Sequence, residues 1–315
     1  MDFQTKINQL KTIIENELNS LIDSDYVLLG VPYYENIGDI LIWEGTETYL
    51  KNRPHKCLRR ASIETFEFPN LPSNVIILLQ GGGNFGDIWS KHQEFRLNII
   101  KKYPNNKIII LPQTIYYANN EQLKEECKLF KLHSQLYICA RDKKSFLLLK
   151  DNKINNVLLL PDMAFCILTK SLSKLKLPIQ KKLLVLRRKD KESAKMSIDK
   201  YIIFKNLPKE ECDWPSYEKS PLCLKLLYKL MGIQKITHIH IADLYAYYFF
   251  RPILIRMGVN FLSQYQYIYT TRLHVAILSI LLEKPFSFFD NSYGKNSTFY
   301  ETWLSDLSDV KFIKP

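Results

Sequence analysis

Short, almost fully apolar segments recur through the first half of the chain, each ended by Gly or Pro and followed by a more polar stretch. Strands buried on both faces of a parallel sheet are continuous apolar runs, whereas strands with one solvated face alternate. The pattern therefore predicts buried parallel strands separated by helices. The segments are YVLLG (26–30), VIILLQGGG (75–83), IIILPQ (108–113), YICARD (137–142) and VLLLPD (157–162).

An amphipathic helix is predicted ahead of the first strand, over residues 2–21. Its apolar residues recur at intervals of three and four, which places them on one face of a helix. A helix followed by alternating strands and helices indicates the α/β class. These apolar residues are Ile7, Leu10, Ile13, Ile14, Leu18 and Leu21.

A polar, basic stretch at 169–182, TKSLSKLKLPIQKK, separates the first series of strands from a second one. We predict two Rossmann-like domains, residues 1–175 and 176–315, with a central cleft at the carboxyl ends of their strands. A helix near the C-terminus could return from the second domain to pack on the first lobe. The second series of strands is LLVLRR (183–188), ITHIHIA (236–242), YIYTTR (267–272) and PFSFFD (285–290).

Charge and cysteine content limit the class of partner and the compartment. The formal charge of +12 suits an anionic partner: a phosphorylated donor, nucleic acid or an acidic membrane face. None of the six cysteines forms a Cys-x-x-Cys pair, so we interpret them as reduced core thiols. Without a signal-like start or an apolar run of about 18 residues, a soluble, cytoplasmic protein is expected.

A glycine-rich turn, Gln80 to Asp87, directly follows the strand VIILL. Its three consecutive glycines allow the backbone to turn tightly and to approach a phosphate or sugar without a Cβ in the way. A tight turn without any ligand is an equally good interpretation, because the spacing matches neither the dinucleotide fingerprint nor the Walker loop.

The pattern Asn-x-Gly-Asp occurs twice, at 36–39 and at 84–87. Asp39 is predicted at or near a helix N-cap, so capping and substrate contact are equal alternatives for its side chain. Both turns face the same cleft if both preceding strands are parallel.

The strongest group of chemically suggestive residues is Arg272, Leu273 and His274, between a predicted strand and an apolar helix. Free amides and the helix dipole at such a position favour an anion. An Arg can bind a carboxylate or phosphate with two hydrogen bonds, and a His can transfer a proton near neutral pH. An isolated His is more often structural, but the strand-end position favours a functional role.

Further cations and histidines are weaker candidates. Arg187 or Arg188 and Lys295 follow predicted strands on the cleft side, although a solvated surface is the default for single cations. His238 and His240 would share one face of a strand, but without a third ligand we favour a structural role over a metal site. His55, His92 and His133 have no chemically suggestive neighbour.

Together with Arg141-Asp142-x-x-Ser145 and Pro161-Asp162, these motifs resemble the polysaccharide pyruvyltransferase family. Their order and separation match from about residue 25 to 305. The sequence departs from the family pattern at Glu35, where a small residue or an Asn is more usual.

The resemblance implies two Rossmann-like lobes similar to the GT-B glycosyltransferase architecture, with phosphoenolpyruvate bound in the cleft and no cofactor or metal. It implies that two sugar hydroxyls add in turn to C2 of phosphoenolpyruvate, phosphate leaves and a cyclic pyruvate ketal remains. The acceptor would be a sugar of a surface polysaccharide or of its lipid-linked repeat unit.

With this resemblance, roles can be suggested for the candidate residues. His274 is our candidate for proton transfer, and Asp39 for orienting or deprotonating the acceptor. The donor-binding candidates are Arg272, the Leu273 amide, Lys295 and Arg187 or Arg188. The acceptor-binding candidates are Asn36, Asp39, Gly82, Gly83, Asn84 and Asp87.

Two other functions remain as alternatives. One is a nucleotide-sugar-dependent glycosyltransferase of the same architecture. The other is a non-enzymatic basic protein that binds nucleic acid or an anionic membrane. If the chain is the favoured enzyme, we expect no nucleic-acid partner. A lipid-linked acceptor would bring the enzyme to the inner membrane face, with residues 169–182 and the region of Arg251 and Arg256 as contact sites or as ordinary solvated surface.

Overall fold

Two parallel sheets form the framework of the computed structural model, which describes residues 1–187, 201–202, 204, 207–290 and 294–314. The first sheet has the order β2-β1-β3-β5-β6-β7, and β4 pairs with the end of β5. Its strands are β1 (Tyr26–Leu29), β2 (Cys57–Ala61), β3 (Ile76–Leu79), β4 (Gly82–Gly86), β5 (Ile108–Tyr116), β6 (Leu136–Ala140) and β7 (Val157–Leu159).

The first sheet is buried because helices cover both of its faces. Every residue of β1 and β3 is buried, which explains why these strands are continuous apolar runs. A 3₁₀ turn, Met163–Cys166, follows the last strand. The helices of this half are α1 (Phe3–Leu21), α2 (Ile37–Lys51), α3 (Ser90–Lys102), α4 (Asn120–Leu132), α5 (Lys143–Asp151) and α6 (Thr169–Ser173).

The second sheet has the order β12-β11-β10-β8-β9, again with parallel pairs. Its strands are β8 (Lys181–Leu186), β9 (Lys209–Cys212), β10 (Tyr265–Thr270), β11 (Phe286–Phe289) and β12 (Val310–Ile313). Its helices are α7 (Pro215–Glu218), α8 (Leu222–Thr237), α9 (Ile241–Tyr245), α10 (Arg251–Ser263), α11 (Leu273–Leu281) and α12 (Lys295–Phe299), with π-helical turns at Ala246–Phe250 and Tyr300–Leu304.

The predicted two-lobed α/β architecture is confirmed, but the predicted strand at 236–242 is wrong. Helix α8 continues to Thr237, and His238 ends it in a left-handed conformation with φ of 58°. The alternation of polar and apolar residues at 236–242 is typical of a strand, but these residues form the end of α8, an exposed connection and the start of α9. The imidazole of His238 instead contacts Glu67, with Nδ1 2.7 Å from Oε1.

One apolar core extends from the first sheet to the second, and it includes Leu28 of β1 and Leu184 of β8. Phe3 of α1 stacks on Phe286 of β11. Near the C-terminus, the Trp303 indole donates a hydrogen bond to the Arg141 carbonyl of the first lobe. The first sheet ends at Leu159 and the second begins at Lys181, while the domain boundary at 175 stays a prediction.

Among the residues that the structure describes, no helix combines the length and the apolar character needed to cross a membrane.

Candidate active site

A cavity of about 280 Å³ lies between the lobes, where the strand ends of both sheets meet. It contains eight of the residues singled out from the sequence: Asn36, Asp39, Gly83, Asn84, Arg272, Leu273, His274 and Lys295. The other lining residues are Tyr34, Glu35, Trp89, His92, Arg141, Trp214 and Tyr217.

Helix α11 begins at the cavity wall. Strand β10 ends at Thr270, whose hydroxyl accepts a hydrogen bond from the Arg272 amide at 3.0 Å, so that Arg272 becomes the residue before the helix. Leu273 is its first residue, and the first amides of a helix have no partner within the helix. The partial positive charge of this helix start favours an anion in the cavity.

A buried carboxylate orients the guanidinium of Arg272. Asp213, directly after β9, accepts hydrogen bonds from Nε and Nη2 of Arg272, both at 2.5 Å. The Tyr217 ring lies 5.1 Å from the guanidinium carbon. A guanidinium fixed on a carboxylate and an aromatic ring presents its charge in one orientation, as anion recognition requires.

His274 belongs to a cluster around the fully buried Asp162. Oδ2 of Asp162 lies 2.7 Å from Nη1 of Arg141 and 3.3 Å from Nε2 of His274. Burial alone would raise the pKa of Asp162, but the hydrogen bond and charge of His274 and the charge of Arg141 hold that pKa well below its usual range. An ionised Asp162 therefore orients the imidazole, an arrangement used by acid/base histidines.

Arg141 is a cavity cation that sequence reasoning assigned only to a family motif. Its Nε donates to Thr114 and its Nη1 to Asp162, while Nη2 makes no hydrogen bond with any described residue. A Cβ at Gly83 would lie 3.0 Å from that Nη2 and would clash with the ammonium of Lys295. Gly83 thus allows two cations to approach the backbone of β4.

The start of α2 supplies the first-lobe wall. Asn36 is the N-cap, with its Oδ1 accepting from the Gly38 amide, and Asp39 is the third helical residue rather than the cap. Oδ2 of Asp39 accepts hydrogen bonds from Asn36 at 2.7 Å and from the Tyr34 hydroxyl at 3.0 Å. Burial, followed by the charge of Asp39, raises the pKa of Tyr34 well above its usual value, so the hydroxyl remains a donor.

Gly38 brings the two lobes into contact at the site. A Cβ on Gly38 would lie 2.7 Å from Nδ1 and 2.9 Å from Cγ of His274. Only a glycine therefore allows the imidazole to pack directly on the first turn of α2.

His92 is a second cavity histidine, and the sequence offered no signal for it. Oδ1 of Asn84 accepts from Arg96 and Gln113, which turns its Nδ2 toward Nδ1 of His92 at 3.3 Å. Burial, and then the charge of Arg96, lowers the pKa of His92, so its imidazole is neutral near pH 7. The network assigns the acceptor role to Nδ1 and the proton to Nε2.

Four of the sequence candidates lie outside the cavity lining. Oδ2 of Asp87 accepts from the Ala118 and Asn119 amides, both at 2.7 Å, and so braces the start of α4. The Arg187 guanidinium lies 3.1 Å from Glu211, and Arg188 is outside the described residues. Gly82 has a φ of 143°, and a Cβ on it would lie 3.7 Å from Oδ1 of Asp39. Their assigned roles, like those of the cavity residues, stay predictions.

Comparisons with known proteins agree with this architecture. The crystal structure of an uncharacterized protein from Klebsiella pneumoniae shares the fold, with a TM-score of 0.69 at 22% identity over 97% of this chain and 99% of that chain. A family model described as polysaccharide pyruvyl transferase matches residues 36–293. The chain therefore belongs to the polysaccharide pyruvyl transferase family.

Curated relatives carry matching names. "Putative pyruvyl transferase EpsO" of Bacillus subtilis is 30% identical over 310 residues, 96% of this chain and 94% of that protein. "Pyruvyl transferase 1" of Schizosaccharomyces pombe is 26% identical over 294 residues, 88% of this chain and 69% of that protein. The chain is accordingly an enzyme of the pyruvyl transferase class, and the glycosyltransferase alternative is not favoured.

Proposed function

We propose that this enzyme transfers a pyruvyl group from phosphoenolpyruvate to two hydroxyls of a sugar in a surface polysaccharide or its lipid-linked repeat unit, forming a cyclic ketal. The observation that carries the proposal is the convergence of Arg141, Arg272 and Lys295 with His274 in one cavity. Phosphoenolpyruvate carries about three negative charges near neutral pH, because its second phosphate pKa is about 6.

The donor would bind on the second-lobe side of the cavity. The Leu273 amide at the start of α11 would hold a phosphate oxygen, as amides at helix starts do. Arg272 and Lys295 would neutralise the remaining charge, and Nη2 of Arg141 offers a further donor. The cavity volume of about 280 Å³ lies below the usual range of about 300–1,000 Å³ for ligand pockets, which favours a small donor over a nucleotide sugar.

Proton transfer would centre on His274. As the first sugar hydroxyl bonds to C2, C3 of the donor gains a proton and becomes a methyl group. The C2–O bond to phosphate then breaks, and the second hydroxyl adds to C2 as it loses its proton. An imidazole oriented by Asp162 can deliver the first proton and be recharged from a hydroxyl, while the second leaves with phosphate.

The acceptor would lie against the first lobe. Two hydrogen bonds fix the carboxylate of Asp39 on this side of the cavity, so we assign it the role of orienting or deprotonating the acceptor hydroxyl. His92 would orient the sugar as a neutral hydrogen-bond donor rather than deprotonate it. Trp89 of this lobe and Tyr217 of the second lobe, both partly exposed at the cavity, provide flat apolar faces for a sugar ring.

We place the enzyme in the cytoplasm, with peripheral contact with the inner membrane face where a lipid-linked acceptor would be assembled. The six free cysteines support a reducing compartment.

The reaction can be tested by incubating the purified protein with phosphoenolpyruvate and a panel of galactosides, glucosides and mannosides. We expect phosphate release only with an acceptor, and a product whose mass has increased by a pyruvate ketal. Phosphate release without an acceptor, or consumption of a nucleotide sugar instead, would contradict the proposal.

Replacing Gly38 by Ala should lower the rate strongly and the free energy of unfolding moderately. The new Cβ must push the His274 ring away, and a misplacement of about 1 Å costs on the order of 10²-fold in rate. Overpacking should lower the free energy of unfolding by about 1–3 kcal/mol. Steady-state kinetics and urea unfolding measure the two effects.

Gly232→Ala is the matched control, because a Cβ there meets nothing within 4 Å. This variant should keep full activity and gain up to about 1 kcal/mol from helix propensity. Equal activity of the two Ala variants would show that the contact between Gly38 and His274 is unimportant.

A further inference from the structure

The helical hairpin formed by α8 and the helix that continues from α9 into α10 exposes an unusual amount of apolar surface. Helix α8 already buries Leu224, Leu227 and Met231 against the core, yet a second apolar stripe lies on its opposite, solvent-facing side. A helix that is apolar on both sides needs a second apolar environment. The outer stripe consists of Leu222, Leu226, Ile233 and Ile236.

The apolar surface continues over the end of the hairpin. Ile236 and Ile239 are 82% and 65% exposed on either side of His238. Leu244, Tyr248 and Phe249 extend it along the second helix, with Tyr248 63% exposed. Isoleucines at a tip, followed by Tyr and Phe, resemble the residues that enter the boundary between lipid headgroups and acyl chains.

The exposed charges on the hairpin are of one sign. Residues 219–242 contain no Asp or Glu, whereas Lys225, Lys229 and Lys235 are exposed among the apolar side chains of α8. The following Asp243 is buried, and hydrogen bonds from Tyr33, Thr65 and Gln234 hold it. Exposed apolar residues interspersed with lysines complement an anionic lipid surface, which contributes about 1 kcal/mol per Lys.

This surface begins beside the cavity. Tyr217 lines the cavity, and α8 starts five residues later at Leu222. The outer stripe therefore starts beside the cavity at Leu222, and the isoleucine tip lies at the other end of this 16-residue helix.

We infer that the hairpin, residues 222–256, docks the enzyme on an anionic phospholipid bilayer with its isoleucine tip in the headgroup region. The surface differs from the basic stretch 169–182 considered from the sequence, and it includes the region of Arg251 and Arg256 that was considered beside that stretch. It specifies the surface for the peripheral membrane contact that the proposed function includes, and it can be tested separately because bilayer binding requires no substrate.

Vesicle flotation with the full chain tests the inference. The wild-type protein should bind vesicles of phosphatidylglycerol and phosphatidylcholine, and the double variant Leu222→Ser with Ile236→Ser should bind at least about tenfold more weakly. Replacing Lys225, Lys229 and Lys235 by Gln should weaken binding to these vesicles by a similar factor without changing the weak binding to pure phosphatidylcholine.

The matched control is Leu132→Ser with Leu147→Ser, two exposed apolar residues on α4 and α5. The control should bind vesicles as the wild type does, and all variants should keep wild-type circular dichroism and the same turnover of a water-soluble acceptor. Absence of wild-type binding, or equal loss in the control, would overturn the inference. A dimer that the hairpin variant converts to a monomer, without vesicle binding, would assign the surface to a second copy of the chain.

Discussion

Replacement of His274 by Gln is expected to lower kcat by about 10²–10⁴-fold, the usual contribution of a positioned acid/base group. The variant should fold, because Asp162 keeps its contacts with Arg141 and the Ala164 amide when the imidazole is removed. The KM for phosphoenolpyruvate should change much less than kcat, since the donor charges are bound by the neighbouring cations. Initial rates of phosphate release over a range of donor concentrations provide both constants.

His92→Gln is the matched control, because it removes the other imidazole from the same cavity. A hydrogen-bonding role predicts a higher KM for the saccharide with kcat within about tenfold of the wild type. If His92→Gln abolished turnover while His274→Gln kept it, the roles of the two histidines would have to be exchanged.

Replacement of Arg272 by Ala is expected to impair both donor binding and stability. Loss of a charged donor that holds phosphoenolpyruvate should reduce kcat/KM by about 10- to 100-fold. Asp213, which is buried, would lose its guanidinium partner, and breaking a buried pair in this way costs about 3–5 kcal/mol. Kinetics and urea unfolding followed by tryptophan fluorescence measure these effects separately.

The double variant Arg272→Ala with Asp213→Ala separates the two roles. Removing both charges should restore most of the lost free energy of unfolding, because no uncompensated carboxylate remains buried. It should not restore kcat/KM, since the donor still lacks its cation. Recovery of activity together with stability would mean that Arg272 acts only as a structural partner of Asp213.

Most of the strands that could be predicted from the sequence are buried on both faces. The runs around Leu28, Leu78 and Ile110 are continuous because helices cover both sides of the sheet. Strands β2 and β9 gave no such signal, since Arg59, Arg60 and the two Glu residues of β9 keep these edge strands polar. A continuous apolar run indicates a buried strand, so a strand that is only partly buried at the edge of a sheet can lack this pattern.

The candidate site was predictable where its residues form local motifs or directly follow predicted strands. Arg272 and His274 stand together at a strand end, so their position alone indicates chemistry. His92 and Trp214 reach the cavity through tertiary packing, which leaves no local pattern. The incorrect strand at 236–242 has a related cause, because an exposed helix connection rich in Ile has the alternation of a strand.

Because one apolar core extends from the first sheet to the second, we expect that neither lobe folds stably on its own. A lobe separated from the other would expose apolar surface that is now buried, such as the contact between Phe3 and Phe286. Relatives of this enzyme are therefore not expected to acquire new acceptors by exchanging whole lobes. Diversification should instead proceed by single substitutions at the rim, at positions such as Trp89 and Tyr217, where a side chain can change without disturbing the shared interior.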